Sequence, residues 1–145
     1  MTRLSLFLAT LMVLAMPAQA APLSPYAWEK RPLLVFAPSA GTQALADQRT
    51  LLAKVRDSAL ERDMAVLEIV GGEGGPQASL GTAPEGVTNA DLRSAYDVPT
   101  GAFAIILVGK DGGEKARWTD VVRPDIIFAR IDRMPMRQRE MQREP

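Results

Sequence analysis

Two hydroxyls, Ser39 and Thr42, stand in the short segment Pro38-Ser39-Ala40-Gly41-Thr42, between an apolar run and a helical pattern, where a nucleophile could be presented. Attack by a hydroxyl needs a neighbouring base. The chain has no histidine to act as one near neutral pH. It has no cysteine either, which excludes thiolate nucleophiles, disulfides and thiolate metal sites. Any catalysis would fall to carboxylates, Lys, Ser/Thr or Tyr, and no base near Ser39 or Thr42 is evident in the sequence.

Other groups with chemical potential have simpler readings beside the sharper one. Gly71-Gly72-Glu73-Gly74-Gly75 follows an apolar run as a phosphate loop does, but Pro76 and more glycines occupy the place where a helix would have to open, so it reads as a flexible loop. Gly109-Lys110 lacks the earlier glycine of a phosphate-binding lysine motif, since position 104 is Ala, and it reads as a hairpin turn. Asp47, Glu61, Asp63 and Glu68 show no metal-loop spacing and read as solvated positions on a helix face or strand edge. No metal and no cofactor is expected. Trp28, Tyr96 and Trp118 read as aromatics packed at the edge of the core, with a ligand groove as the alternative. Arg133, Arg137 and Arg139, with Met134 and Met136, form either a solvated helix end or a partner-docking surface. The candidate ligand or partner surface is thus Pro38, Ser39 and Thr42, together with Arg133, Met136 and Arg137.

The elements that must position these groups follow from periodicity and punctuation. Residues 1–20 read as a secretory signal: Arg3 is the charged start, 4–16 the apolar stretch, Pro17 a breaker, and Ala18-Gln19-Ala20 the small-x-small pattern, with cleavage between Ala20 and Ala21. The apolar stretch of about 13 residues falls short of the roughly 20 needed to span a bilayer, so no stable membrane anchor is expected after cleavage. A periplasmic or secreted location follows. Residues 21–31 are a Pro-rich lead.

The continuous apolar run at 32–38 reads as a strand buried on both faces, and the runs at 64–70 and 103–108, the latter almost wholly apolar, as the second and third strands. Leu45, Leu51, Leu52, Val55, Ala59 and Leu60 recur at helical spacing, which predicts an amphipathic helix over 43–63. Residues 71–86, with six glycines and two prolines, read as a long loop. Thr88, with Asp91 three residues on, starts a short helix through Tyr96. Lys110-Asp111-Gly112-Gly113 is a hairpin turn into an edge strand at 114–118. Pro124 fits the first turn of a last helix, which Pro135 ends or kinks. Residues 136–145 read as a charged, fraying tail. The order β-α-β-loop-α-β-β-α describes an α/β, thioredoxin-like domain over 32–135, a mixed central sheet of about four strands with flanking helices.

Four segments carry a resemblance to a known family: Leu33-Leu34-Val35-Phe36-Ala37-Pro38-Ser39, Gln48-Arg49, Val108-Gly109-Lys110-Asp111-Gly112-Gly113 and Ile131-Asp132-Arg133-Met134-Pro135-Met136-Arg137. Across almost the whole exported part, the chain resembles the bacterial domain of unknown function 4174. That resemblance implies a thioredoxin-like, peroxiredoxin-related fold shared with animal sushi-repeat and extracellular-matrix proteins, and no established activity. Peroxiredoxins set their reactive thiol in a Pro-x-x-x-Thr-x-x-Cys loop. Pro38 and Thr42 match that spacing, and Leu45 stands at the thiol position. The Cys-x-x-Cys of thioredoxins is absent, and Val98-Pro99-Thr100 sits out of register for their proline loop.

The 17 basic and 17 acidic residues cancel, so nothing argues for nucleic acid as a partner. Three functions stay open. One is a non-catalytic binding or envelope-associated module for an unknown protein or small ligand. The second is a hydroxyl- or carboxylate-based enzyme in the loop at 38–42, and the third a structural or stress-related envelope protein.

Overall fold

The computed structural model describes residues 21–145; the export segment and Ala20 of its cleavage site lie outside the described residues. Ser24–Tyr26 form a 3-10 turn, followed by β1 (Arg31–Ala37), α1 (Gln43–Ala53), α2 (Arg56–Glu61), β2 (Met64–Val70), β3 (Gln77–Leu80), α3 (Asn89–Ala95), β4 (Ala104–Val108), β5 (Glu114–Trp118), α4 (Pro124–Asp132) and α5 (Pro135–Arg143). The sheet runs β3-β2-β1-β4-β5. Its centre is the parallel pair β1–β2, and the other three pairings are antiparallel. The mixed sheet has five strands where about four were expected, because β3 forms inside the glycine-rich stretch that reads as loop.

The central strands are apolar throughout because both faces are covered. On one face Leu33, Val35, Val66, Ile105 and Leu107 pack with Leu45 of α1, Ala59 of α2 and Ile127 and Ile131 of α4. On the other, Leu34, Phe36, Leu67, Ile69 and Ile106 pack with Leu92 of α3 and with Leu23 and Tyr26 of the 3-10 turn. β3 completes one edge. It bulges against β2 between Val66 and Leu67, and the side chain of Arg56 donates to the carbonyl of its Ser79. A bulged, guarded edge of this kind discourages further strand pairing.

Three further differences from the sequence reading have physical causes. The predicted helix over 43–63 is two helices. Val55 leaves helical backbone at φ −124°, ψ 26°, which turns Ala59 into the core and leaves Leu60 exposed. The segment 136–145 does not fray as a tail: Pro135–Arg143 is helical. Charge holds it in place, for Arg137 is buried and meets Glu61 and Asp132, while Glu140 meets Arg31 and Lys110. Glu68 is not solvated. It lies on the covered face of β2, 6% exposed, with Arg49 as its bidentate partner. The capping box of α3 forms as read, with Thr88 and Asp91 bonding reciprocally.

Candidate functional site

The two candidate surfaces lie at opposite ends of the sheet. The 38–42 loop follows the end of β1, whereas the α4–α5 junction packs near its start; the seven residues of β1 separate them by about 20 Å. They do not form one site.

At the loop end, Ser39 and Thr42 hydrogen-bond to each other. The Ser39 amide donates to Thr42 Oγ1 at 3.2 Å, and the two hydroxyl oxygens are 3.5 Å apart. Among the described residues, no carboxylate or lysine hydrogen-bonds to either hydroxyl. Leu45, three residues on, is completely buried in the core. Beneath the loop lies Arg93, which donates to the carbonyls of Ala37 (2.9 Å), Gly71 (2.8 Å) and Pro99 (2.7 Å), its guanidinium carbon 5.5 Å from the centre of the Phe36 ring. Burial lowers its proton affinity below the ordinary arginine value. Its donors are spent on backbone at the strand ends, so this arginine is a strut that ties three connections together. Pro99 follows a trans peptide bond.

The opposite end holds an open cleft of about 440 Å³, within the range of small-molecule sites. Three pieces of chain build it: Trp28 from the lead, the β4–β5 hairpin with Gly109, Lys110, Asp111 and Lys115, and the α4–α5 junction with Arg130, Arg133, Met134, Pro135 and Met136. Arg31 completes the wall. The Asp-Gly turn places the hairpin as read, and Pro135 starts α5 where the last helix was expected to stop or kink. Of the residues singled out in the sequence, Arg133 and Met136 therefore belong to this cleft. Arg137 does not: at 1% exposure it points into the protein and fastens α5.

Trp28 departs from its expected core-edge role. It is 66% exposed and has φ 68°, a region that disfavours a bulky side chain. Its amide donates to the Lys110 carbonyl at 2.7 Å, which pins the strained residue to the hairpin. Strain that the surroundings enforce on an exposed aromatic is a pointer to use. Tyr96 and Trp118 do pack at the edges of the two cores.

Behind the cleft is a charge network that sequence reading did not find. Lys110 Nζ donates to Asp63 at 2.8 Å and to Glu140 at 2.7 Å. The Arg31 fork reaches both oxygens of Glu140 and the Arg62 carbonyl. Burial by itself would push the Glu140 carboxyl up; the hydrogen bonds from Arg31 and Lys110 outweigh it and hold the group below its ordinary value. No periodicity marks these residues, since their partners lie up to 109 positions apart.

A second cleft, about 430 Å³, opens between α1 and β3 over Leu45, Leu52 and Leu80. Of its charged residues, Arg49 and Glu68 pair in a bidentate contact, and Arg56 donates to the Ser79 carbonyl. Among the described residues no cluster of three acidic side chains is placed to hold a metal ion, and no helix is long and apolar enough to cross a membrane.

The family described as Domain of unknown function (DUF4174) matches residues 22–140. No curated protein matches the chain. Among solved structures, it is similar to a Plasmodium vivax 2-Cys peroxiredoxin in the reduced form, at 17% identity and a TM-score of 0.59, covering 82% of this chain and 84% of that one. It is also similar to a Plasmodium yoelii thioredoxin peroxidase I, at 20% identity and a TM-score of 0.58, covering 85% and 82%. At such identities the likeness concerns the fold alone.

Proposed function

We propose that this chain, which belongs to the Domain of unknown function (DUF4174) family, is an exported binding module that uses a thioredoxin-like scaffold without thiol chemistry and engages its ligand in the cleft between Trp28, the hairpin and the α4–α5 junction. The observation that carries this reading is convergence. Two segments distinctive in sequence, 108–113 and 131–137, meet around one concavity, beside an exposed tryptophan that the hairpin holds at positive φ. The chain is similar in fold to a peroxiredoxin and a thioredoxin peroxidase, yet has no cysteine with which to form or reduce a disulfide. Among the described residues, the hydroxyls at Ser39 and Thr42 have only each other and a backbone amide as neighbours in hydrogen bonding. A nucleophile so placed lacks the base that activation requires. Export of the module, with cleavage between Ala20 and Ala21, belongs to the same proposal.

The second cleft is the weaker choice because its central charges, Arg49 and Glu68, pair with each other, whereas Arg133 of the first has no carboxylate partner among the described residues. A fragment screen followed by amide and indole NMR resonances tests the assignment. Hits should shift Trp28 Nε1–H, Lys110 and Met136 together. Hits that gather instead at 38–42, or over Leu52 and Leu80, would overturn it.

A further inference from the structure

We infer that the ligand of this cleft is an organic anion, a carboxylate carried on an apolar body; the inference rests on the cleft being the binding site. Four observations point to the charge. Arg133 is exposed and has no carboxylate or carbonyl partner among the described residues. Arg130 spends its fork on the Lys115 carbonyl, at 3.2 and 2.8 Å, and meets no carboxylate among the described residues. Arg31, 1% exposed and part of the wall, leaves its Nε without any acceptor among the described residues, although its other nitrogens are engaged. Finally, α5 begins at the cleft with Pro135 and Met136, and its N-cap, Met134, has no oxygen with which to cap the first turn. Buried donors without acceptors are exceptions in folded proteins, and open amides at a helix start favour an anion. An oxyanion entering the cleft would meet the open guanidinium of Arg133 and the amides that start α5, with Arg130 and Arg31 adding positive charge to the wall.

The remainder of the wall sets the body of the ligand. Trp28 and Met136 offer an indole face and a flexible thioether, which suit an aryl or alkyl group. A purely inorganic anion would leave that surface wet. A carboxylate on an apolar body occurs both in free organic acids and at the C-terminus of a peptide that ends in an apolar residue, so the experiment carries both.

The purified protein is titrated calorimetrically with 3-phenylpropionate, with the tripeptide Ala-Ala-Phe, and with the amide of each. Each acid should bind about tenfold more tightly than its amide, as expected for charge-assisted against neutral hydrogen bonds. Arg133→Glu should remove most of that advantage without changing the melting temperature, and about 0.5 M salt should weaken it. Whichever acid binds more tightly, the peptide or the free acid, identifies the source. If acid and amide bind alike while Trp28 still shifts, the anion inference fails and the cleft stands. If the ligands bind without any shift at Trp28, the cleft itself fails.

Discussion

Glu140 shows how much a single side chain carries at the residue scale. It lies on a helix whose one fully buried residue is Arg137, and it joins Arg31 of β1 and Lys110 of the hairpin to that helix. Its folded carboxyl is held below the ordinary value, because hydrogen bonds from both cations exceed the opposing effect of burial. Asp132 behaves alike: burial raises it, and the contacts from Arg62 and Arg137 bring it below the ordinary value. A carboxyl depressed in the folded state contributes stability that is complete above its unfolded pKa and is lost as pH falls through the folded one. Urea resistance should therefore hold at neutral pH and decline below roughly pH 4–5, the ordinary carboxylate range. Glu140→Gln should be less stable at pH 7 and lose less on acidification. Parallel urea midpoints for the two proteins, from neutral to acidic pH, check this. An unchanged acid slope in the variant would show that the network is not the titrating element.

At the scale of the element, local signals were reliable where the partners lie within one turn. Thr88 and Asp91 are three residues apart, and the box they predict is the box that forms. Thr88→Ala should cost about 1 kcal/mol in chemical denaturation, as N-cap truncations do. A loss near zero would mean that α3 is held by its buried residues Asn89, Leu92 and Arg93 without the cap. The hairpin was legible for the same reason, since Asp-Gly dictates the turn locally. Local signals failed where distant contacts decide. Apolar periodicity runs through Val55 without a break, but packing of Ala59 on the sheet breaks the helix there. The polar sequence after Pro135 looks like a tail because its anchors, Glu61, Arg31 and Lys110, belong to other elements. β3 has few apolar residues and much glycine around it, and it is a strand because β2 offers a free edge.

Across the whole molecule, the parallel β1–α1–α2–β2 half and the antiparallel β4–β5–α4 half share one sheet and are also tied above it. Gln48 of α1 is completely buried, donates to the Val122 carbonyl at 3.0 Å and accepts from the Val122 amide at 2.9 Å. It thereby satisfies both backbone groups of the connection that leads into α4. Gln48→Ala would leave a cavity and two orphaned buried groups, and should cost about 2–4 kcal/mol. Gln48→Glu, which keeps only the acceptor, should fall between. Equilibrium unfolding with an unchanged denaturant slope is the measurement. If the alanine variant matches the wild type, the tie is not structural. The Gln48-Arg49 pair is thus accounted for by architecture, Gln48 on Val122 and Arg49 on Glu68. The other two distinctive segments after β1 build the cleft.

The sequence by itself determined the chemistry open to this protein and the class of its fold. Absent cysteine and histidine are decided by composition. The apolar strands, a capped helix and an Asp-Gly hairpin are decided by patterns within a few residues. Only the tertiary structure decided where the candidate residues fall: Ser39 and Thr42 at one end of the sheet, Arg133 and Met136 at the other, and Arg137 inside. It also decided that Trp28 is presented to solvent and that Lys110 is buried among carboxylates. The physical reason is range. Hydrophobic pattern and turn chemistry act along the chain, whereas a cleft and its charges are made by residues that meet only once the sheet has closed.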